Sequence, residues 1–119
     1  MSKNFIEESD FAELVQMEGI VTRIVTGLSG EKVMMVLTTI QPGYEIPSHA
    51  HPHEQMGLVQ SGQCEMTIGD ETRIVRKGDF CYFPSNMTHS GKTIGDEPFV
   101  MLDIFYPVRE DFIKKVRGT

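Results

Sequence analysis

The feature that most restricts how this 119-residue chain can fold is its punctuation. Glycine and proline recur so often that no stretch is left for a long core helix. Between the breaks lie short runs rich in β-branched and aromatic residues, the composition of strands. Ile20, Val21, Thr22, Ile24, Val25 and Thr26 form one such run, closed by Ser29-Gly30. Val33 to Ile40 is a longer one, ended by Gln41-Pro42-Gly43, and Met56 to Val59 stops at Ser61-Gly62. Cys64, Met66 and Ile68 alternate with Glu65 and Thr67, which suits a sheet with one wet face. Gly69-Asp70, Lys77-Gly78-Asp79 and Pro84 then separate Thr72 to Val75 and Phe80 to Phe83, and Phe99 to Tyr106 is the last long run. Many short strands without a long helix predict an all-β antiparallel sandwich or closed barrel. Closure, or edge pairing across a dimer, would remove the open strand edges. Residues 5–17 read two ways. Ser9 could cap a short helical turn with Asp10 near its positive end, or the segment runs as a lead-in strand.

The length fits a single domain over residues 1–119, with 1–18 as lead-in and 110–119 as tail. A net charge of -6 excludes a general phosphate-backbone binder, because the longest basic cluster is Lys114, Lys115 and Arg117 in the tail. An acidic small substrate stays possible, since a local arginine and a metal can outweigh net charge inside a pocket. No run approaches the roughly 18 apolar residues of a membrane span. No early segment has the basic start and apolar run of a secretion signal, so a cytoplasmic location is expected. Cys64 and Cys81 suit reduced, apolar strand fillers rather than a disulfide scaffold.

Within this frame sits a metal-like constellation. His49 and His51 are two apart, which on an extended chain places both rings on one face. A turn through Pro52 could bring Gln55 alongside, and its amide oxygen is a neutral ligand that leaves a cation more Lewis-acidic than a carboxylate would. His89 would have to arrive from another strand. His53 continues the alternation unless Pro52 bends the chain, and Glu54 could replace Gln55 in a different bend.

These residues carry a resemblance. Gly43, His49, His51, Gln55 and Gly62 stand at the spacing of the first motif of the cupin superfamily, with glutamine in the place of its glutamate. Gly78, Pro84 and His89 match the second motif, in which Asn86 stands where glycine is usual and Thr93 where asparagine is usual. Asn tolerates the left-handed conformation that recruits glycine at such turns. The resemblance implies a small single-domain cupin, a double-stranded β-helix or jelly-roll barrel. The stretch from His49 to Gly57, and the end of the chain from Leu102 to Phe112, look like the short pectin-degradation cupins of the KdgF type. That family implies one divalent transition metal (Ni, Zn, Mn or Fe) held by His49, His51, Gln55 and His89. It implies conversion of 4,5-unsaturated uronate monosaccharides to the linear 5-keto form, and a homodimer.

Asp103, Phe105 and Arg109 fall on the family's active-site positions. Asp103 and Phe105 share one strand face by their spacing. The expected roles are proton transfer for Asp103, a grip on the substrate carboxylate for Arg109, and cover of a sugar face for Phe105. Tyr82 is expected to line the substrate cavity, and Tyr106 and Met35 could do so. The competing readings are a non-catalytic cupin that binds a sugar acid, and an iron-dependent dioxygenase.

Overall fold

Alternation of inward and outward side chains builds the described part of the chain, residues 3–118 of a computed structural model. Residues 1–2 of the lead-in and residue 119 of the tail lie outside the described residues. The strands are β1 (Ala12–Met17), β2 (Ile20–Ile24), β3 (Met34–Ile40), β4 (Glu45–His49), β5 (Glu54–Ser61), β6 (Gln63–Ile68), β7 (Glu71–Arg76), β8 (Phe80–Phe83), β9 (His89–Ile94) and β10 (Phe99–Tyr106), followed by helix α1 (Glu110–Arg117). They form a six-stranded sheet in the order β1-β2-β3-β10-β5-β8 and a four-stranded sheet in the order β4-β9-β6-β7. The pairings are antiparallel. This is the jelly-roll architecture the sequence implied.

The inner face follows the period of two. Met34, Val36, Thr38 and Ile40 of β3 point inward, as do Phe99, Met101, Asp103 and Phe105 of β10. One apolar cluster joins the two sheets through Ile20, Ile40, Val59, Cys64, Met66, Phe83 and Phe99. A second, built on Leu14, Ile24, Met34, Val36 and Phe105, takes in Phe112 from α1. The tail is therefore a helix that closes one end of the barrel. Cys64 and Cys81 are free thiols, and burial raises them to about 12 and about 11, which keeps both protonated and inert.

Two local expectations are corrected, the Ser9 cap and the absence of strands at β4 and β9, and the lead-in strand is met. The turn at Glu8–Asp10 forms, but Glu7 rather than Ser9 sits at its cap, and its N–H donates to the Asp10 carboxylate at 3.0 Å. Strand structure then begins at Ala12, so the lead-in strand forms after the turn. Strands β4 and β9 carry too much proline, glycine and polar character to be read as strands from sequence, yet they pair with each other. At the second motif Asn86 adopts φ 65°, the left-handed conformation that its place implied. Its backbone N–H donates to the His51 carbonyl at 2.8 Å, which ties the turn before β9 to the loop after β4.

Candidate metal centre

His49 reaches the barrel interior because β4 is irregular. Ile46 faces the cavity, so strict alternation would turn Ser48 inward and His49 out. The register instead shifts between Ile46 and His49, and His49 pairs directly with His89. A bulge of this kind re-aims one side chain, and Pro47 fits there because a bulge does not need its missing N–H. His51 lies beyond the strand end, in the loop, rather than on a continuous extended face. Pro52 bends the chain, so His53 leaves the ligand face. The ring centroids of His49 and His89 are 4.3 Å apart, those of His51 and His89 5.0 Å, and those of His49 and His51 5.7 Å. One ring nitrogen from each lies within 4.8 Å of the others.

The hydrogen bonds set the chemistry of these rings. Nδ1 of His49 lies 3.0 Å from the Pro47 carbonyl, Nδ1 of His89 3.0 Å from the Met87 carbonyl, and Nδ1 of His51 3.1 Å from the His53 carbonyl. A carbonyl can only accept, so each Nδ1 carries the ring proton and each Nε2 keeps a lone pair. Burial, reinforced by neighbouring positive groups, lowers His51 and His89 to about 4, so both are neutral ligands at pH 7.

Gln55 on β5 completes the set. Its Nε2 donates to Asp103 Oδ1 at 2.9 Å, which turns Oε1 toward His51 Nε2 at 3.0 Å. Two lone-pair atoms then face each other at hydrogen-bond distance with no proton between them. A shared cation satisfies both, and imidazole nitrogen with amide oxygen suits a divalent transition metal. The residues present therefore fit a metal centre.

A cavity of about 200 Å³ opens beside this group, with His49, Gln55, His89, Phe105 and Arg109 in its wall. Arg109, the residue just before α1, is almost buried. Its guanidinium lies 5.0 Å from the Phe105 ring centroid and 4.1 Å from that of Phe112. Asp111 accepts from its Nε at 3.0 Å and from Nη2 at 2.8 Å, which leaves Nη1 for a ligand. Burial would raise Asp111, but this bidentate pair with Arg109 holds it below the usual carboxylate range.

Three residues expected at the cavity face outward instead. Tyr82 does not line this cavity. Cys81 and Phe83 flank it on β8, Phe83 faces in, and alternation puts Tyr82 on the outside, where its hydroxyl donates to Glu54. Tyr106 and Met35 also fall on outward positions of their strands. Asp103 is buried beside the site: Gln55 Nε2 donates to one of its oxygens, and Thr38 Oγ1 donates to the other at 2.9 Å. It therefore meets the metal position through Gln55. Burial raises it to about 6, against the lowering effect of those two hydrogen bonds and of Arg109.

Sequence reading missed Thr38, Asp111 and Phe112. A hydroxyl on the inward face of an otherwise apolar run was the available signal for Thr38. An acid two residues beyond Arg109 was the signal for Asp111.

Among the described residues no helix is long and apolar enough to cross a membrane. Residues 36–105, more than half of the chain, match the family model described as Cupin domain. The pectin degradation protein KdgF of Dickeya dadantii is 32% identical over 115 residues, covering 95% of this chain and 100% of that protein. H2HPP isomerase of Bacillus subtilis is 32% identical over 71 residues, 59% of this chain, but the match spans only 30% of that longer protein. KdgF from Halomonas superposes with a TM-score of 0.81 at 24% identity, covering 93% of this chain and 99% of that one. An RmlC-like cupin from Shewanella frigidimarina does so with a TM-score of 0.82 at 22% identity, covering 93% and 96%. With its barrel, its histidine triad and these relatives, the chain belongs to the cupin family and is a homologue of the pectin degradation protein KdgF.

Proposed function

We propose that this protein is an enzyme that converts 4,5-unsaturated uronate monosaccharides, the products of pectin or alginate lyases, to the linear 5-keto form. One observation carries the reading: the cavity is bordered by a three-histidine group with the Gln55 amide oxygen beside it and, in the same wall, by the Arg109 guanidinium with Nη1 free. A uronate offers the matching pair, oxygens for the cation and a carboxylate for Arg109. At about 200 Å³ the cavity is below the roughly 300–1,000 Å³ of drug-sized sites, which suits one sugar ring.

In the reaction the anomeric hydroxyl loses its proton, the bond from the anomeric carbon to the ring oxygen breaks, and the released enol becomes a ketone as C4 gains a proton. Arg109 binds and orients the carboxylate through Nη1, with its own position fixed by Asp111 and the two phenyl rings. Phe105 presents an apolar face to the ring and excludes water from it. His49, His51, Gln55 and His89 would hold a divalent metal, which would supply Lewis acidity for a substrate oxygen and for developing negative charge. One proton leaves the anomeric hydroxyl and one is gained at C4, so the conversion is balanced. The test follows the ultraviolet absorbance of unsaturated galacturonate under the metal-loaded protein. Faster loss of the enol-ether band without oxygen uptake, with one solvent deuterium at C4 in heavy water, is the expected result. Oxygen consumption, or binding without turnover, overturns it.

A further inference from the structure

We propose that Thr38 and Asp103 form a brace that decides which end of the Gln55 amide faces the imidazoles, and so sets the metal affinity of the site. In this brace Asp103 acts on the metal position through Gln55. The inference rests on the metal centre of the reading above but not on its substrate.

An amide side chain is nearly symmetric in shape, so packing alone does not choose between its oxygen and its nitrogen. Hydrogen bonds choose. Here the carboxylate of Asp103, 3% exposed, accepts from the amide nitrogen at 2.9 Å, and Thr38 pins the other carboxylate oxygen at 2.9 Å. The backbone leaves room for this arrangement: a Cβ on Gly57, which pairs with Asp103, would lie 3.0 Å from Asp103 Oδ1. The consequence is a neutral oxygen on the metal position and a full negative charge one residue behind it. Glutamate at position 55 would instead set two carboxylates against each other.

Without an acceptor at position 103 the amide has a better choice. It can rotate and donate from nitrogen to the lone pair of His51 Nε2, the atom now 3.0 Å from Oε1. That hydrogen bond would remove two ligands at once, the amide oxygen and the His51 nitrogen. Losing the brace should therefore harm metal binding more than losing Gln55 itself, an ordering that general disruption of the core would not produce.

The test titrates cobalt(II) into the full chain against a chromophoric chelator. Asp103→Leu should weaken binding by about 10- to 100-fold, the usual range for partners that orient a metal ligand. It should bind more weakly than Gln55→Ala, and the double variant should recover to the Gln55→Ala level. If Asp103→Leu does not fold, Thr38→Val carries the test: it frees the carboxylate and weakens cobalt binding, and Thr38→Ser restores it. Asp103→Leu with wild-type affinity, a double variant weaker than either single one, or Thr38→Val equal to wild type overturns the brace while leaving the proposed reaction standing. Wild-type protein that binds no cobalt overturns both.

Discussion

Stripped of metal, the protein should lose stability in acid along a course set by three buried groups. His51 and His89 fall from an ordinary 6.5 to about 4 in the fold. Between those values the unfolded chain takes protons that the folded chain refuses. Each histidine's contribution is thus complete above pH 6.5 and gone near pH 4. At about 1.4 kcal/mol per pKa unit, each amounts to about 3 kcal/mol. Asp103 has the opposite sign. Its folded value of about 6 lies above the ordinary 3.8, so its ionised form costs about 3 kcal/mol at pH 7 and nothing below pH 3.8. Together the three should leave the metal-free protein about 3 kcal/mol less stable at pH 4 than at pH 7. Asp103→Asn keeps an acceptor for Gln55 and removes the opposing charge. It should be more stable than wild type at pH 7 by up to about 3 kcal/mol, with the gain vanishing near pH 4. Urea unfolding of chelator-treated wild type and variant between pH 4 and pH 7.5 measures both curves. A gain independent of pH, or a wild type with flat stability across the range, would refute the assignment of these groups as buried and desolvated.

Arg109→Lys should lower kcat/KM for the uronate by about 10- to 100-fold, mostly through KM, because an ammonium cannot keep the bidentate pair with Asp111 and also grip a carboxylate. Steady-state kinetics read this directly. Gly57→Ala places a methyl group 2.5 Å from Met101 Sδ and close to Asp103, and should cost about 1–3 kcal/mol in urea unfolding. Chelation should abolish turnover, and restoring a divalent ion at about 100 times its Kd should raise stability by about 2.7 kcal/mol in a thermal melt. Apolar residues cross the outer face of the six-stranded sheet in register, Met35–Ile104–Met56–Tyr82 and Leu37–Leu102–Leu58–Phe80, and a second copy of the chain is the proposed cover. Sedimentation equilibrium should give twice the chain mass for wild type and a single mass for Met56→Glu.

Legibility in the sequence tracked how local the governing physics was. The shared face of Asp103 and Phe105 on β10 was readable because period-two burial is a property of neighbouring residues. The same rule failed for Tyr82, since alternation fixes that a side chain faces one way or the other and says nothing of which way until the sheet has a partner. It failed again at β4, where a bulge around Pro47 overrides the period and turns His49 inward. The position of His53 depended on a bend at Pro52 whose direction is set by the turn before β9, through the bond from Asn86 to His51.

The spacing of His49, His51, Gln55 and His89, the left-handed turn at Asn86 and the strand-rich punctuation were fixed by residue identity, because ligand chemistry and backbone preference belong to single residues. Tertiary structure alone decided that β4 and β9 pair, that Asp103 accepts from the Gln55 amide, and that α1 brings Phe112 against Arg109. These are contacts between segments tens of residues apart. They arise only when two sheets close over a common core, a condition no short stretch of the chain encodes by itself.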